Sequence, residues 1–193
     1  MKKIYYNWEQ VEGACLDIAR QLHDDNWRPD YVVGITRGGL IPATLLSQYL
    51  GVKMHTLNVS LRENSGGDCE SNLWMAEDAF GYVNKEDREI VTIEGSGIPM
   101  ESDTSDPKIR KNILIVDDIN DTGATIKWIK DDWQSGCLPN DYHWNNIWGQ
   151  NVRVAVLTDN LASNESVDYS VWEVNKAEKV CWLVYPWEEY WLK

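Results

Sequence analysis

The chain has 193 residues, enough for one domain with a sizeable core. It carries 31 acidic and 18 basic residues, and the net charge of −13 argues against nucleic acid or an anionic membrane as the main partner. The start lacks the apolar segment of a signal peptide, and no stretch approaches the roughly 18 apolar residues of a membrane span. The 4 cysteines are too scattered for a zinc site or a disulfide framework, so we expect reduced thiols and a cytoplasmic protein.

The first third of the chain alternates between helical and strand patterns. Asn7 and Gln10 form a capping-box pattern ahead of apolar residues at helical spacing, which predicts an amphipathic first helix. The elements predicted next are a buried strand at residues 31–35, a helix at about residues 40–50 and a strand at residues 53–60. This alternation favours a parallel sheet.

The turn after the first predicted strand, Thr36-Arg37-Gly38-Gly39, has the composition of an anion site. Glycines let the backbone approach a ligand, and an arginine adds a fixed positive charge. The glycine pair alone would also fit an ordinary turn between a strand and a helix.

Residues 61–110 break the alternation. They contain glycine-serine clusters, many acids, a helical fragment near residues 73–80 and a candidate strand at residues 89–93. A solvated acidic insertion is one interpretation of most of this segment.

The most informative segment is an apolar run at residues 113–116 that leads into Asp117, Asp118 and Asp121 and then into Thr-Gly-Ala-Thr at residues 122–125. A buried strand that ends in acids delivers them to the edge of an open α/β sheet where ligands bind. Neighbouring carboxylates can accept hydrogen bonds from sugar hydroxyls, and the start of a helix offers N–H groups to a phosphate. The alternative is an Asp-capped helix, but a cap does not require three acids.

The remaining chain is predicted to form a helix at residues 124–133, a strand at residues 151–158, and strands at residues 167–174 and 180–184 in a small final subdomain. Tyr142, Trp144 and Trp148 lie in a polar segment between the first two of these elements. This segment is a partner-contacting surface or a local plug, and aromatic residues favour packing or an oligomer contact.

The acid-rich segment resembles the signature of type I phosphoribosyltransferases, which is a hydrophobic strand, two acids, a short spacer and Thr-Gly-x-Thr. The resemblance implies an α/β protein with the type I phosphoribosyltransferase fold, in which helices flank a central parallel sheet. It also implies one domain over residues 1–193, with a core at about 27–60 and 108–160, a lid insertion at about 61–107 and a C-terminal hood at about 161–193. Part of the lid would be an extra ordered hairpin.

The implied reaction transfers the 5-phosphoribosyl group from phosphoribosyl pyrophosphate to a nitrogenous base, with a purine favoured, and releases pyrophosphate. Mg²⁺ is the implied cofactor. By resemblance, Asp117 and Asp118 bind the ribose hydroxyls and the metal, and Asp121 is the catalytic proton acceptor or orienter near the base. The implied 5′-phosphate loop consists of Asp121, Thr122, Gly123, Ala124 and Thr125.

Two further segments resemble parts of the same family. Thr36, Arg37 and Gly38 match the pyrophosphate loop of the purine enzymes, which often contains a non-proline cis peptide bond. The C-terminal run Cys181-Trp182-Leu183-Val184-Tyr185-Pro186-Trp187-Glu188 resembles the hood of 6-oxopurine enzymes. There Trp182 would stack on the base, Leu183 would supply main-chain contacts, and Glu188 would lie near the metal. In a chain with 11 tryptophans, a core role for Trp182 is the alternative.

One departure from the 6-oxopurine enzymes leaves the identity of the base open. Those enzymes have a lysine just past the strand that corresponds to residues 152–158, whereas this chain has Asp159 and Asn160. Asn160 is therefore the predicted base-binding residue there, and weaker discrimination between 6-oxo and 6-amino purines is expected. Lys176 or Lys179 could fold back and restore the missing donor.

Two other classes of function fit parts of the sequence. A non-catalytic phosphoribosyl pyrophosphate-binding regulator would fit the loops, but Asp121 is intact and no basic DNA-binding face is evident. A structural interaction module would fit the tryptophan-rich segment. A homodimer or a higher homo-oligomer is expected.

Overall fold

The computed structural model describes residues 2–61, 69–81, 110–139 and 141–188. Its strands and helices, in chain order, are β1 (Lys2–Tyr5), α1 (Trp8–Asp24), β2 (Tyr31–Thr36), α2 (Leu40–Leu50), β3 (Lys53–Asn58), α3 (Leu73–Phe80), β4 (Ile113–Asn120), α4 (Ala124–Gly136), β5 (Val152–Asn160), β6 (Trp172–Val174) and β7 (Cys181–Val184). A short 3-10 helix, Tyr142–Asn146, precedes β5. The predicted strand at residues 89–93 and most of the predicted lid lie outside the described residues, whereas the helical fragment is confirmed as α3.

Five strands form one parallel sheet in the order β3-β2-β4-β5-β6. The alternation of strands and helices predicted this arrangement. β2 pairs directly with β4, so the loops that follow these two strands leave the same edge of the sheet side by side. This places the Arg-Gly-Gly turn next to the acids of β4.

Both faces of the sheet are covered by other elements. Successive side chains of a strand point to opposite faces, so each strand contributes to both cores. Ile113 and Ile115 of β4 belong to a core shared with α3, α4 and the 3-10 helix. Leu114 and Val116 belong to a second core shared with α1, α2 and β7. The continuous apolar run at the start of β4 is thereby explained, since all four side chains are buried.

The start of α1 confirms the predicted capping box. The Asn7 side chain accepts a hydrogen bond from the Gln10 main chain at 2.8 Å, and the Gln10 side chain accepts one from the Asn7 main chain at 2.9 Å. Val11, Cys15 and Ile18 then face the core at helical spacing.

The C-terminal strands differ from the prediction of one small final subdomain. Only Trp172–Val174 of the predicted 167–174 strand is regular, and this strand pairs with β5 at the edge of the main sheet. β7 instead pairs in parallel with β1, a strand that was not predicted. The Tyr6 main chain extends this pairing by donating to the Val184 oxygen at 3.0 Å. The two ends of the described chain therefore fold together.

The tryptophan-rich segment packs against the core, as the packing interpretation expected. Trp144 is buried, and its indole N–H donates to the Cys137 oxygen at 3.0 Å. Trp148 packs against the same core, whereas Tyr142 is 70% exposed. The expected homo-oligomer stays a prediction.

All four cysteines are free, and Cys15, Cys137 and Cys181 are buried. Burial raises the pKa of the Cys15 thiol to about 12, which keeps it protonated at neutral pH. In the described part of the chain, no helix has both the length and the apolarity needed to cross a bilayer.

Candidate active site

The acid pair lies at the carboxyl end of β4. Asp117 and Asp118 follow the buried run of this strand and are both half-buried. The Asp118 N–H donates to the Asp117 carboxylate at 2.9 Å. The two carboxylates therefore project from the central strand at the edge where an open α/β sheet binds its ligands.

The predicted pyrophosphate loop packs directly on the acid pair. The peptide bond between Thr36 and Arg37 is cis, as the family resemblance suggested. A Cβ atom at Gly38 would overlap the Asp118 carboxylate, and one at Gly39 would overlap the main-chain oxygen of Val116. Only glycine permits this approach. The Gly-Gly sequence therefore lets the predicted pyrophosphate loop pack directly against the acid pair.

The predicted 5′-phosphate loop connects β4 to α4. Gly123 has a φ of +83°, a conformation that side chains other than glycine rarely adopt. It precedes α4 directly and offers no side chain to cap the helix. Thr122 and Ala124 are exposed on either side of it. The Ala124 N–H donates to the Thr122 hydroxyl at 3.3 Å, and the start of a helix is a place where an anion is favoured.

A network of amide side chains that the sequence did not reveal supports this loop. The buried Asn120 side chain donates to Asp159 at 2.8 Å and to the Glu165 main-chain oxygen at 2.7 Å. Its own oxygen accepts from the Ser163 hydroxyl at 2.9 Å. The last residue of β4 is therefore tied to the segment after β5. The only local signal was a polar residue at the end of a strand, which does not identify its partners.

Asn160, the predicted base-binding residue, is 5% exposed, and its side chain makes three hydrogen bonds. It donates to the Asp121 main-chain oxygen at 2.7 Å and accepts from the main chains of Lys176 at 3.0 Å and Ala162 at 3.3 Å. This geometry makes Asn160 a support for the loop that carries Asp121. Its contact with a base stays an untested prediction.

Lys176 does fold back toward the site, one of the two alternatives left open by the sequence. Its ammonium nitrogen lies 2.8 Å from a carboxylate oxygen of Asp121. For Lys179, the described contact is a hydrogen bond from its main chain to the Asn175 oxygen at 2.9 Å. The loop thus contains an ion pair between an acid of the motif and a lysine from the segment between β6 and β7.

The hood is hydrogen-bonded to the acid strand through Tyr185. The phenol oxygen of this residue is 2.8 Å from both the Asp118 main-chain oxygen and the Thr158 hydroxyl. Burial and then the nearby Asp118 charge raise the pKa of Tyr185, so the hydroxyl stays protonated and can donate to the carbonyl. Tyr6 and Trp187 stack on the Tyr185 ring at centroid distances of 5.3 and 4.9 Å.

Trp182 presents its ring outward from this hood. Cys181 and Leu183 are buried in the core shared with α1 and α2, while Trp182 between them is 48% exposed. The alternation of a strand explains this difference. Trp182 is thus not a core tryptophan, and Leu183 is buried behind it.

The comparisons with known proteins agree with this geometry. A family model described as phosphoribosyl transferase domain matches residues 1–192. The chain belongs to the phosphoribosyltransferase family. It is 21% identical over 200 residues to xanthine phosphoribosyltransferase 1 of Saccharomyces cerevisiae, covering 97% of this chain and 90% of that protein.

Two further proteins are also similar over nearly the whole chain. The identity to the hypoxanthine-guanine phosphoribosyltransferase of Schizosaccharomyces pombe is 23% over 209 residues, covering 96% of this chain and 89% of that protein. The solved purine phosphoribosyltransferase of Pyrococcus horikoshii is similar in structure, with a TM-score of 0.61, 25% identity, and coverage of 98% of this chain and 97% of that one. The chain is therefore a phosphoribosyltransferase with the type I fold.

Glu188, the hood acid predicted near the metal of this phosphoribosyltransferase, closes a local turn. Its carboxylate accepts from the Tyr185 main chain at 3.2 Å, and its own N–H donates to the Tyr185 oxygen at 3.0 Å. Among the described residues, no group of three or more His, Cys, Asp or Glu side chains is arranged to hold a metal ion.

Replacing Tyr185 with phenylalanine should destabilise this phosphoribosyltransferase. The ring would remain, but the Asp118 main-chain oxygen and the buried Thr158 hydroxyl would lose the phenol as a hydrogen-bond partner, at a cost of about 1–3 kcal/mol. Tyr142→Phe is the matched control because Tyr142 is 70% exposed. Denaturant unfolding of both variants measures the difference. Equal stability of the two would contradict the anchoring role of Tyr185.

Proposed function

We propose that this phosphoribosyltransferase transfers the 5-phosphoribosyl group from phosphoribosyl pyrophosphate to a purine-like base and releases pyrophosphate. The observation that carries this proposal is the contact of Gly38 with the Asp118 carboxylate, which joins an arginine-bearing loop to an acid pair. A sugar whose substituents are two separate anions needs such a combination of acceptors and anion sites. The names of the similar proteins, which act on xanthine, hypoxanthine, guanine or purines, support a purine as the acceptor.

Each end of the substrate has a complementary group. The paired carboxylates of Asp117 and Asp118 accept hydrogen bonds from the two ribose hydroxyls. Arg37 and the adjoining main chain of Thr36 and Gly38 bind the pyrophosphate. The 5′-phosphate binds at the start of α4, where the helix dipole favours a negative charge. The residues of this last site are Asp121, Thr122, Gly123, Ala124 and Thr125.

The reaction forms a bond from a base nitrogen to C1 of the ribose and breaks the bond from C1 to the pyrophosphate oxygen. The leaving pyrophosphate takes the electron pair, and the base nitrogen loses its proton to Asp121. Positive charge develops on the ribose during this exchange, so the protein contributes mainly by orienting the reactants and by placing negative charge nearby. Trp182 stacks on the base, and the main chain at Leu183 reads the edge of its ring.

The donors at the site suit Mg²⁺. Asp117 and Asp118 supply carboxylate oxygens, which this cation prefers, and Mg²⁺ commonly binds one or two carboxylates together with substrate phosphates and waters. When bound, the ion neutralises negative charge on the pyrophosphate. Glu188 remains the third candidate ligand.

The experiment that tests the function is a screen of purine and pyrimidine bases with phosphoribosyl pyrophosphate and Mg²⁺, in which pyrophosphate release is measured. A purine should give the highest kcat/KM. Release with a pyrimidine alone would exclude the purine assignment, and no release with any base would exclude the transfer reaction for the bases tested.

Replacing Trp182 with alanine should raise the KM for the base and leave the KM for phosphoribosyl pyrophosphate nearly unchanged. Stacking on an aromatic ring contributes about 1–3 kcal/mol per base, which corresponds to roughly 5- to 150-fold in affinity. Steady-state kinetics with each substrate varied in turn separates the two constants.

The control for this experiment is Trp74→Ala. Trp74 is 41% exposed and packs against Tyr31 at the amino end of β2, away from the acid pair. The Trp74→Ala variant should have an unchanged KM for the base. If Trp182→Ala raises both constants equally and also lowers the melting temperature, Trp182 stabilises the hood and does not bind the base.

A further inference from the structure

We infer that Lys176 is the positioning residue whose positive charge allows the acid Asp121 to stand inside a phosphate-binding loop. This inference rests on the proposed function, because it concerns the binding of phosphoribosyl pyrophosphate at that loop. Lys176 comes from the segment between β6 and β7, so neither the loop motif nor its immediate neighbours supply this charge.

The contact itself is a close ion pair. The Lys176 ammonium nitrogen is 2.8 Å from an Asp121 carboxylate oxygen, and the side chains are 21% and 35% exposed. The Lys127–Asp131 pair on α4, by contrast, has side chains that are 63% and 62% exposed. Since partial burial reduces the screening of charges by solvent and salt, the Lys176 pair interacts more strongly than an ordinary surface pair.

The main chain of Lys176 is held independently of its charge. Asn160 accepts from the Lys176 N–H at 3.0 Å and donates to the Asp121 main-chain oxygen at 2.7 Å. One buried amide therefore bridges the two residues of the ion pair through their main chains. The turn that follows is also hydrogen-bonded, since the Asn175 side chain accepts from the Ala177 N–H at 3.2 Å. Removal of the lysine charge should thus leave the loop in place.

The loop needs a compensating charge because its ligand is an anion. A carboxylate close to a phosphate repels it, and the chain as a whole has a net charge of −13. Lys130, on the helix after the loop, is already paired with Glu165 at 2.7 Å. Arg37 belongs to the other loop and is exposed. In the described part of the chain, the ion pair of Asp121 is the one with Lys176.

The test is a double-mutant cycle on the dissociation constant of phosphoribosyl pyrophosphate with Mg²⁺, measured by calorimetry without a base. Lys176→Gln should weaken binding about tenfold, because it leaves the Asp121 charge uncompensated. Adding Asp121→Asn to this variant should restore affinity to within about threefold of the unaltered protein. Lys176→Arg, which keeps the charge, should also stay within about threefold.

Lys111→Gln is the matched control for the change in net charge. Lys111 pairs with Asp78 at 3.0 Å and lies two residues before the amino end of β4, opposite the site, so its substitution should leave the affinity unchanged. Thermal unfolding of each variant checks that the fold is retained.

The outcomes separate the inference from the proposed function. If the unaltered protein binds phosphoribosyl pyrophosphate but Lys176→Gln has no effect, or if Asp121→Asn fails to restore the lost affinity, this inference is wrong and the function stands. An effect of Lys176→Gln on the KM for the base alone would also overturn it and would instead indicate contact with the base. If the unaltered protein does not bind phosphoribosyl pyrophosphate, the proposed function and this inference both fail.

Discussion

Replacing Asp121 with alanine is expected to lower turnover by about 10²- to 10⁴-fold, the usual contribution of a general acid or base. The affinity for phosphoribosyl pyrophosphate should change far less, because a carboxylate is a poor direct ligand for a phosphate. The side chain is held by Lys176 at 2.8 Å and its main-chain oxygen by Asn160, so contacts within the protein fix its position. Single-turnover kinetics and calorimetry measure the two quantities separately.

The control for this substitution is Asp131→Ala. Asp131 lies on α4, pairs with a lysine and is 62% exposed, so its loss should leave turnover unchanged. If Asp121→Ala keeps near-normal turnover with its best base, the carboxylate serves only as the partner of Lys176 and has no part in proton transfer.

The combined substitution Asp117→Asn and Asp118→Asn should weaken the binding of phosphoribosyl pyrophosphate by roughly 10²- to 10⁴-fold. Each lost charge-assisted hydrogen bond to a ribose hydroxyl costs about 1.5–3 kcal/mol. Asparagine has nearly the same shape as aspartate, so the close packing of Asp118 against Gly38 should be preserved. Calorimetry with phosphoribosyl pyrophosphate measures the effect.

Removing two negative charges from an acidic protein also favours anion binding in general, and this effect needs its own control. Asp17→Asn with Asp24→Asn removes two charges from α1, where the side chains are 50% and 81% exposed. That variant should bind phosphoribosyl pyrophosphate as well as the unaltered protein or slightly better. An unchanged affinity in the Asp117 and Asp118 variant would remove the assignment of the acid pair to the ribose.

The parts of the site that the sequence predicted are local ones. The acid pair and the predicted phosphate loop are contained in one strand, one turn and the start of one helix. The sequence of residues 113–125 alone was therefore enough to predict them. The Arg-Gly-Gly turn is equally local, and the side-by-side pairing of β2 and β4 follows from the parallel sheet.

The parts that escaped prediction depend on contacts between distant residues. Tyr185 reaches Asp118 from the far end of the chain, and Asn120 reaches the segment after β5. The spacing of apolar residues along the sequence does not reveal the partners of either Tyr185 or Asn120. β1 was missed because its side chains are mostly exposed and show no apolar alternation. The lid stays a prediction, since most of residues 61–107 lie outside the described part of the structure.

The pairing of β1 with β7 has a consequence for the order of folding. Residue 2 lies opposite residue 181, so this contact closes a loop that includes almost the entire chain. Closing so long a loop carries a high entropic cost, and during synthesis β1 leaves the ribosome long before its partner exists. The main sheet can assemble once β6 is made, whereas the hood that carries Trp182 must wait for β7. Amide protons of β1 and β7 should therefore exchange with solvent sooner than those of β4, the central strand.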